Sequence, residues 1–185
     1  MLTASNLVAS GVGCTIKMTC KAKIKEGSGL PGFGAEAMMY DGPVDGDLSG
    51  GVLSLEACSL AGANGTFIRN KDNKVTIGVA VAGGFIVSDQ FGGCDLTILR
   101  NPAGAILGAH VYSNEACRAC IASPPAGWRV VGTWQSKGYQ DKWPGIGGLF
   151  AFAFIEGSQV KVVALALKGY PGKVSHVELA DTFDL

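Results

Sequence analysis

From Cys14 to Lys25 the chain alternates strictly. Cys14, Ile16, Met18, Cys20, Ala22 and Ile24 take one side, and Thr15, Lys17, Thr19, Lys21, Lys23 and Lys25 the other. A period of two over that length predicts a half-buried strand with a lysine face in water, and it places Cys14 and Cys20 in the core as small hydrophobes. Residues 26–51 are rich in Gly and turn formers and contain Asp41, Asp45 and Asp47, so the pattern predicts loops with a short strand at Ala35–Tyr40. Leu53, Ala57 and Leu60 have helical spacing, which predicts a short helix over 52–60. Thr66–Arg69 and Val75–Ala82 read as strands joined across the polar turn at 70–73, and Gly83-Gly84 reads as a hairpin loop into Phe85–Ser88.

Further along, Ser113 is placed to cap a short helix through about Ala122, stopped by Pro124-Pro125. Trp128–Trp134, Leu149–Ile155, Val160–Leu167 and Val174–Leu179 read as strands, the second and third joined at 156–159. Val160–Leu167 is almost wholly apolar, as befits a strand covered on both faces. Trp128 and Trp134, evenly spaced, are expected to share a face, and Trp143-Pro144-Gly145 reads as an exposed loop. No internal repeat interrupts the pattern. The expectation is a single domain over residues 1–185, of α+β class and β-rich: a β-sandwich of mixed or antiparallel sheets with a few short helices.

Composition narrows the class. The chain has 185 residues, 48% hydrophobic and 16% charged, which excludes a disordered or solvating tail. Its 15 basic and 15 acidic side chains cancel, so the electrostatic footprint of a general nucleic-acid binder is missing. Glycine is in excess, 28 residues against a usual share of about 7%. The start Met1–Asn6 has no basic segment or long apolar run, and the uncharged stretch Val75–Ser88 is broken by two glycines. The sequence therefore predicts no cleavable signal peptide and no membrane insertion. Six cysteines in this length are expected to be thiols of a reducing compartment.

The chemistry concentrates in Phe85–Tyr112. Asn101-Pro102-Ala103-Gly104 has the residues of a type I turn, and Gly104 in the left-handed region makes it a three-residue hairpin loop with a bulge. That loop pairs Asn101 with Ala105 and, counting outward, Leu96 with His110 and Cys94 with Tyr112. Cys94 and His110 then become diagonal neighbours on one face, Cα atoms about 7–8 Å apart. A four-residue loop pairing Arg100 with Ala105 would put them on opposite faces.

A Cys–His pair suits nucleophilic catalysis, because imidazole takes the thiol proton and the thiolate attacks. Gly92-Gly93 lets a substrate carbonyl approach the backbone, with the amides of Cys94 and its neighbour Gly93 as oxyanion donors. The alternative is a buried small residue and a satisfied histidine in a non-catalytic β-sandwich binding module.

Phe91-Gly92-Gly93-Cys94, followed by a strand and by His110 sixteen residues on, resembles the Leu-Ser-Gly-Cys motif and catalytic His of the cytotoxic necrotizing factor and Burkholderia lethal factor-like glutamine deamidase toxins. Ser88 falls six positions before Cys94, where the lethal-factor type has a hydroxyl residue that orients the His. Gly92 departs from the family's usual Ser.

The resemblance implies a catalytic domain of that fold and a bacterial effector, made in the cytoplasm and exported to act on a host protein. Its activity would be thiol-dependent hydrolysis of a target Gln to Glu, with Cys94 as nucleophile, His110 as acid and base, Ser88 as its orienting group, and no metal or organic cofactor. A cysteine peptidase or transglutaminase could use the same dyad. Cys117-Arg118-Ala119-Cys120 has the form of a zinc half-site or redox pair. It lacks further ligands and a thioredoxin context, so incidental helix cysteines are expected, with a reversible disulfide as the alternative. His176, in a strand, is an edge residue by its setting and a second candidate partner for Cys94.

Overall fold

A computed structural model describes residues 2–24, 32–169 and 172–185; Lys25, the first part of the Gly-rich 26–51 stretch and residues 170–171 lie outside the described set. Strands take up 50% of the chain and helices 13%, so the β-rich expectation holds.

Helix α1 (Ala4–Ser10) is followed by β1 (Thr15–Met18), β2 (Lys23–Ile24), β3 (Ala37–Ser49) and β4 (Val52–Ala57). Next come β5 (Gly65–Ile68), β6 (Val75–Val79), β7 (Phe85–Ser88), β8 (Asp95–Arg100) and β9 (Ile106–Val111). Helix α2 (Glu115–Ala122), β10 (Arg129–Gln135), α3 (Tyr139–Lys142), β11 (Gly148–Glu156), β12 (Gln159–Lys168) and β13 (Lys173–Asp184) complete the chain.

The strand pairings close on themselves. β3, β4, β1, β13, β12, β11, β7 and β5 are neighbours in that order, and β5 pairs back onto β3. Every strand of this ring contributes to one buried cluster. Val44, Leu53, Ile16, Val174, Leu165, Phe152, Phe85 and Phe67 all belong to it, and α1 adds Ala4 and Leu7, so the cluster is the ring's interior. The N-terminal end of β3 runs out of the ring and pairs with β6, from which β9, β8 and β10 continue a second sheet.

Small residues on the outer face of the ring, Ala151, Ala153, Ala164 and Ala166, receive Leu96, Ile98, Ile106 and Trp134 from that sheet. The sheet's far face, with Leu99, Leu107, Ala109 and Val111, is covered by Cys117 and Ile121 of α2. The expected two-layer packing exists, but one layer is a closed ring and the sheets are continuous through β3. Among the described residues no helix is long and apolar enough to cross a membrane.

Several local expectations are corrected. The Cys14–Lys25 strand is two pieces: β1 pairs β4 and β13, β2 pairs β3, and burial fades from Cys14 and Ile16 to an exposed Ile24. Cys20 is only partly buried against the ring core. The glycines of 42–46 lie within the long β3. A Cβ on Gly42 would strike the Lys21 carbonyl, and one on Gly46 the Phe85 ring, so they serve close approach rather than turning. The stretch 52–57 is β4, alternating Leu53 and Leu55 inward, with only a 3-10 turn at Leu60–Gly62.

β5 and β6 do not form a hairpin, nor do β6 and β7: β5 and β7 belong to the ring and β6 to the second sheet, so both connections change layers. Asn114, not Ser113, caps α2, its side chain accepting from the Cys117 amide. Trp128 packs with the α2 side and Trp134 with the ring side, because a bulge between Val130 and Gly132 reverses the facing. Trp143 is buried, stacked on His176 at 5.0 Å.

Candidate functional site

The hairpin that sets the site forms as its turn residues predict. Gly104 N–H donates to Asn101 O at 3.0 Å, Asn101 N–H donates to Ala105 O at 3.1 Å, and Gly104 has φ +85°. β8 then pairs β9 with Leu96 opposite His110 and Asp95 opposite Val111. One residue before β8, Cys94 packs in the same interlayer cluster as Leu96, and His110 stacks at 4.2 Å on Phe91 of that cluster. Cys94 and His110 therefore share the face that looks toward the ring.

His110 is fully buried, between Thr76 of β6 and Leu96 of β8. Ser88, at the end of β7 in the ring, reaches across the interlayer to it: Ser88 Oγ lies 2.8 Å from His110 Nδ1. The same hydroxyl donates to Ile68 O at 2.7 Å. A hydroxyl has a single proton to donate, so the contact with the ring is Nδ1–H donating into Oγ. Burial without a compensating charge holds the imidazole neutral, its pKa pulled down to about 3. A neutral ring with its proton on Nδ1 carries a lone pair at Nε2, and that atom is buried with no hydrogen-bond partner. Cys94 Sγ is accordingly not hydrogen-bonded to it, and the predicted contact between thiol and imidazole is not made in this structure.

Cys94 is 5% exposed. Burial pushes its thiol up, opposed by the Ser113 and Gly92 amides and by Arg118, while Asp95 adds to the rise. The resting pair is accordingly thiol and neutral imidazole. The turn before Cys94 is left-handed at two places, Gln90 with φ +62° and Gly93 with φ +120°. Gly93 N–H donates to Ser136 Oγ at 2.9 Å, and Ser136 Oγ donates to Cys94 O at 2.7 Å. Arg118 of α2 donates to Asp95 at 2.9 Å and to Gly93 O at 3.1 Å. The turn is thus pinned from β10's end and from α2.

Ser88, His110 and Cys94 are brought to one interlayer space, and Gly93's amide is taken by Ser136. Ser136, Arg118 and Phe91 join the site without a role that the sequence pattern assigns them: Phe91 stands inside the motif, Arg118 lies between two cysteines, and Ser136 carries no local signal. Cys117 is buried under the second sheet and Cys120 partly so, both free thiols. His176 is exposed on β13, bonded to its neighbour Ser175 at 3.0 Å and stacked on Trp143. Among the described residues no group of three His, Cys, Asp or Glu side chains is placed to hold a metal ion.

A cleft of about 380 Å³ lies beside the turn, lined by Asp89, Gln90, Phe91, Gly92, Gln140 and Leu149 among others; Cys94 and His110 do not line it. The chain matches no protein-family model, no curated protein and no solved structure.

Proposed function

We propose that the protein is a thiol-dependent protein glutamine deamidase of the cytotoxic-necrotizing-factor kind, a bacterial effector acting on a host protein. The observation that carries the reading is the hydrogen-bond chain Ile68 O, Ser88, His110 Nδ1. It forces the tautomer in which Nε2 is an unpartnered base on the face shared with Cys94. The resemblance around Phe91–Cys94, Ser88 and His110 supplies the reaction.

In that reaction the Cys94 thiol gives its proton to His110 Nε2 and the sulfur attacks the carboxamide carbon of a Gln side chain. The Cys94 amide holds the oxyanion. His110 then protonates the departing nitrogen, which leaves as ammonia, and the acyl group stays on sulfur as a thioester. Water, losing a proton to Nε2, attacks that thioester and releases Glu and the free thiol. Both residues are covered at rest, so the target has to open the connection that carries Phe91 and Cys94.

The test is ammonia release and Gln-to-Glu conversion, read by mass spectrometry on host-cell proteins. Both are expected to vanish in Cys94→Ser and His110→Ala. A folded Cys94→Ser protein with undiminished activity would refute the reading. Backbone cleavage or amine incorporation in place of ammonia would reassign the same dyad to a peptidase or transglutaminase.

The full burial of His110 favours a second reading, a non-catalytic β-rich binding module in which Ser88, His110 and Cys94 are core residues. It predicts no ammonia from any target and no effect of either substitution beyond stability.

A further inference from the structure

Asp89 follows β7 directly and is 3% exposed, yet its Oδ1 has no hydrogen-bond partner. A buried carboxylate oxygen left unpaired is costly, and native structures leave few of them without a purpose. Burial raises the Asp89 carboxyl from its ordinary value, opposed by Arg69 and by its own backbone amide. The residue lines the 380 Å³ cleft, next to Gln90, whose left-handed backbone is uncommon for a residue with a side chain. Phe91, Leu149 and Phe150 give the cleft apolar walls, and Gln90 and Gln140 add polar groups.

That combination suits a cation carried on an apolar stem. The stem lies along Phe and Leu side chains, and a turn of the Asp89 side chain toward the cleft lets the head supply the N–H donors that the buried Oδ1 lacks. We propose that this cleft is a binding subsite for a basic side chain, Arg or Lys, of a partner polypeptide, with Asp89 as its acceptor. The proposal stands on the cleft and the unpaired oxygen and does not require the deamidase reading. If that reading also holds, occupancy bears on the active turn directly, because Phe91 lines the cleft and stacks on His110. The subsite would then select targets with a basic residue near the reactive Gln.

The experiment titrates the full-length protein with acetyl-arginine amide and with acetyl-citrulline amide, its neutral isostere, following the backbone amides of residues 89–92 by NMR. A charge-assisted bond to a buried carboxylate is expected to make the arginine probe bind at least about tenfold tighter than citrulline. Asp89→Asn, which keeps the shape and removes the charge, is expected to abolish that preference. Equal binding of the two probes, no saturable shift at 89–92 with either, or an unchanged preference in folded Asp89→Asn overturns the proposal. The comparison of probes on the unaltered protein decides it even if the variant fails to fold. Loss of ammonia release in Cys94→Ser leaves this binding untouched, so the two readings fail separately.

Discussion

Protonating His110 tests whether the imidazole is the neutral, buried base that the geometry requires. Its folded-state pKa is depressed to about 3 by burial, against an unfolded value of 6.5. The folded state therefore resists a proton that the unfolded chain accepts. The stability this contributes is fully present above pH 6.5 and is lost progressively as pH falls toward the folded value. Each pH unit in that window costs about 1.4 kcal/mol, so going from pH 7.5 to 5.5 costs about 1.4 kcal/mol, since only the unit below 6.5 counts.

Asp89 acts in the opposite sense. Its raised carboxyl stabilises the fold at low pH, and that contribution is lost as pH rises through its folded value. The assay is urea unfolding at the two pH values for the unaltered protein, for His110→Gln and for Asp89→Asn. The His110→Gln protein is expected to lose the acid destabilisation by about that 1.4 kcal/mol, whatever its absolute stability, while Asp89→Asn is expected to gain stability at neutral pH, where the raised carboxyl no longer favours the fold, relative to its stability in acid. Imidazole ¹⁵N shifts of the unaltered protein give a second readout: a proton on Nδ1, none on Nε2, and no titration down to pH 5. A midpoint near 6.5, or a proton on Nε2, would refute the tautomer argument and the base assigned to it.

Two further outcomes concern the frame that holds the site. Arg118→Ala strands Asp95, whose side chain is 4% exposed, beside an unclamped Gly93 carbonyl. Removing one partner of a buried pair costs about 3–5 kcal/mol; because the Arg118 side chain is 43% exposed, about 2 kcal/mol is expected by urea unfolding, and a loss under 0.5 kcal/mol would show the clamp idle. Gly42→Ala drives a methyl group into the Lys21 carbonyl, a backbone atom with little freedom to retreat. A loss of at least about 3 kcal/mol, or failure to fold, is expected, and a normal melting temperature would mean the approach of Lys21 to β3 is misplaced.

What the sequence disclosed depended on how local the determinant was. The Cys94–His110 register was legible because Asn101, Pro102 and Gly104 dictate a turn within four residues, and a strand's period carries that register outward. β11 and β12 were legible for the same reason, joined by a short connection and with apolar residues on both faces. β3 was not, because Gly42 and Gly46 owe their identity to Lys21 and Phe85, which are distant or unrelated in local pattern. The partners of β5, β6 and β7 were hidden because successive strands alternate between ring and second sheet, so adjacency in sequence said nothing about pairing. The Ser88 contact was expected from the motif alone; that it joins two layers follows only from the topology.

The layered arrangement explains why a fold of this kind can hold a base at Nε2 with nothing bonded to it. Ser88 is anchored through β7 and Ile68 to a ring filled by aromatic side chains, so its hydroxyl is fixed before His110 meets it. His110 sits in the interior of the second sheet, flanked by two strands and held at Nδ1 by Ser88. Nε2 has no hydrogen-bond partner, and the Phe91 ring stacked on the imidazole face offers neither a proton donor nor an acceptor. Phe91 in turn lies between two residues of left-handed backbone, Gln90 and Gly93, in the connection from β7 to β8. On the proposed reading, the oriented imidazole belongs to the second sheet and the residue stacked on it to the connection before Cys94, so base and cover lie in separate elements. On the same reading, target binding that moves the turn uncovers the imidazole without disturbing what orients it.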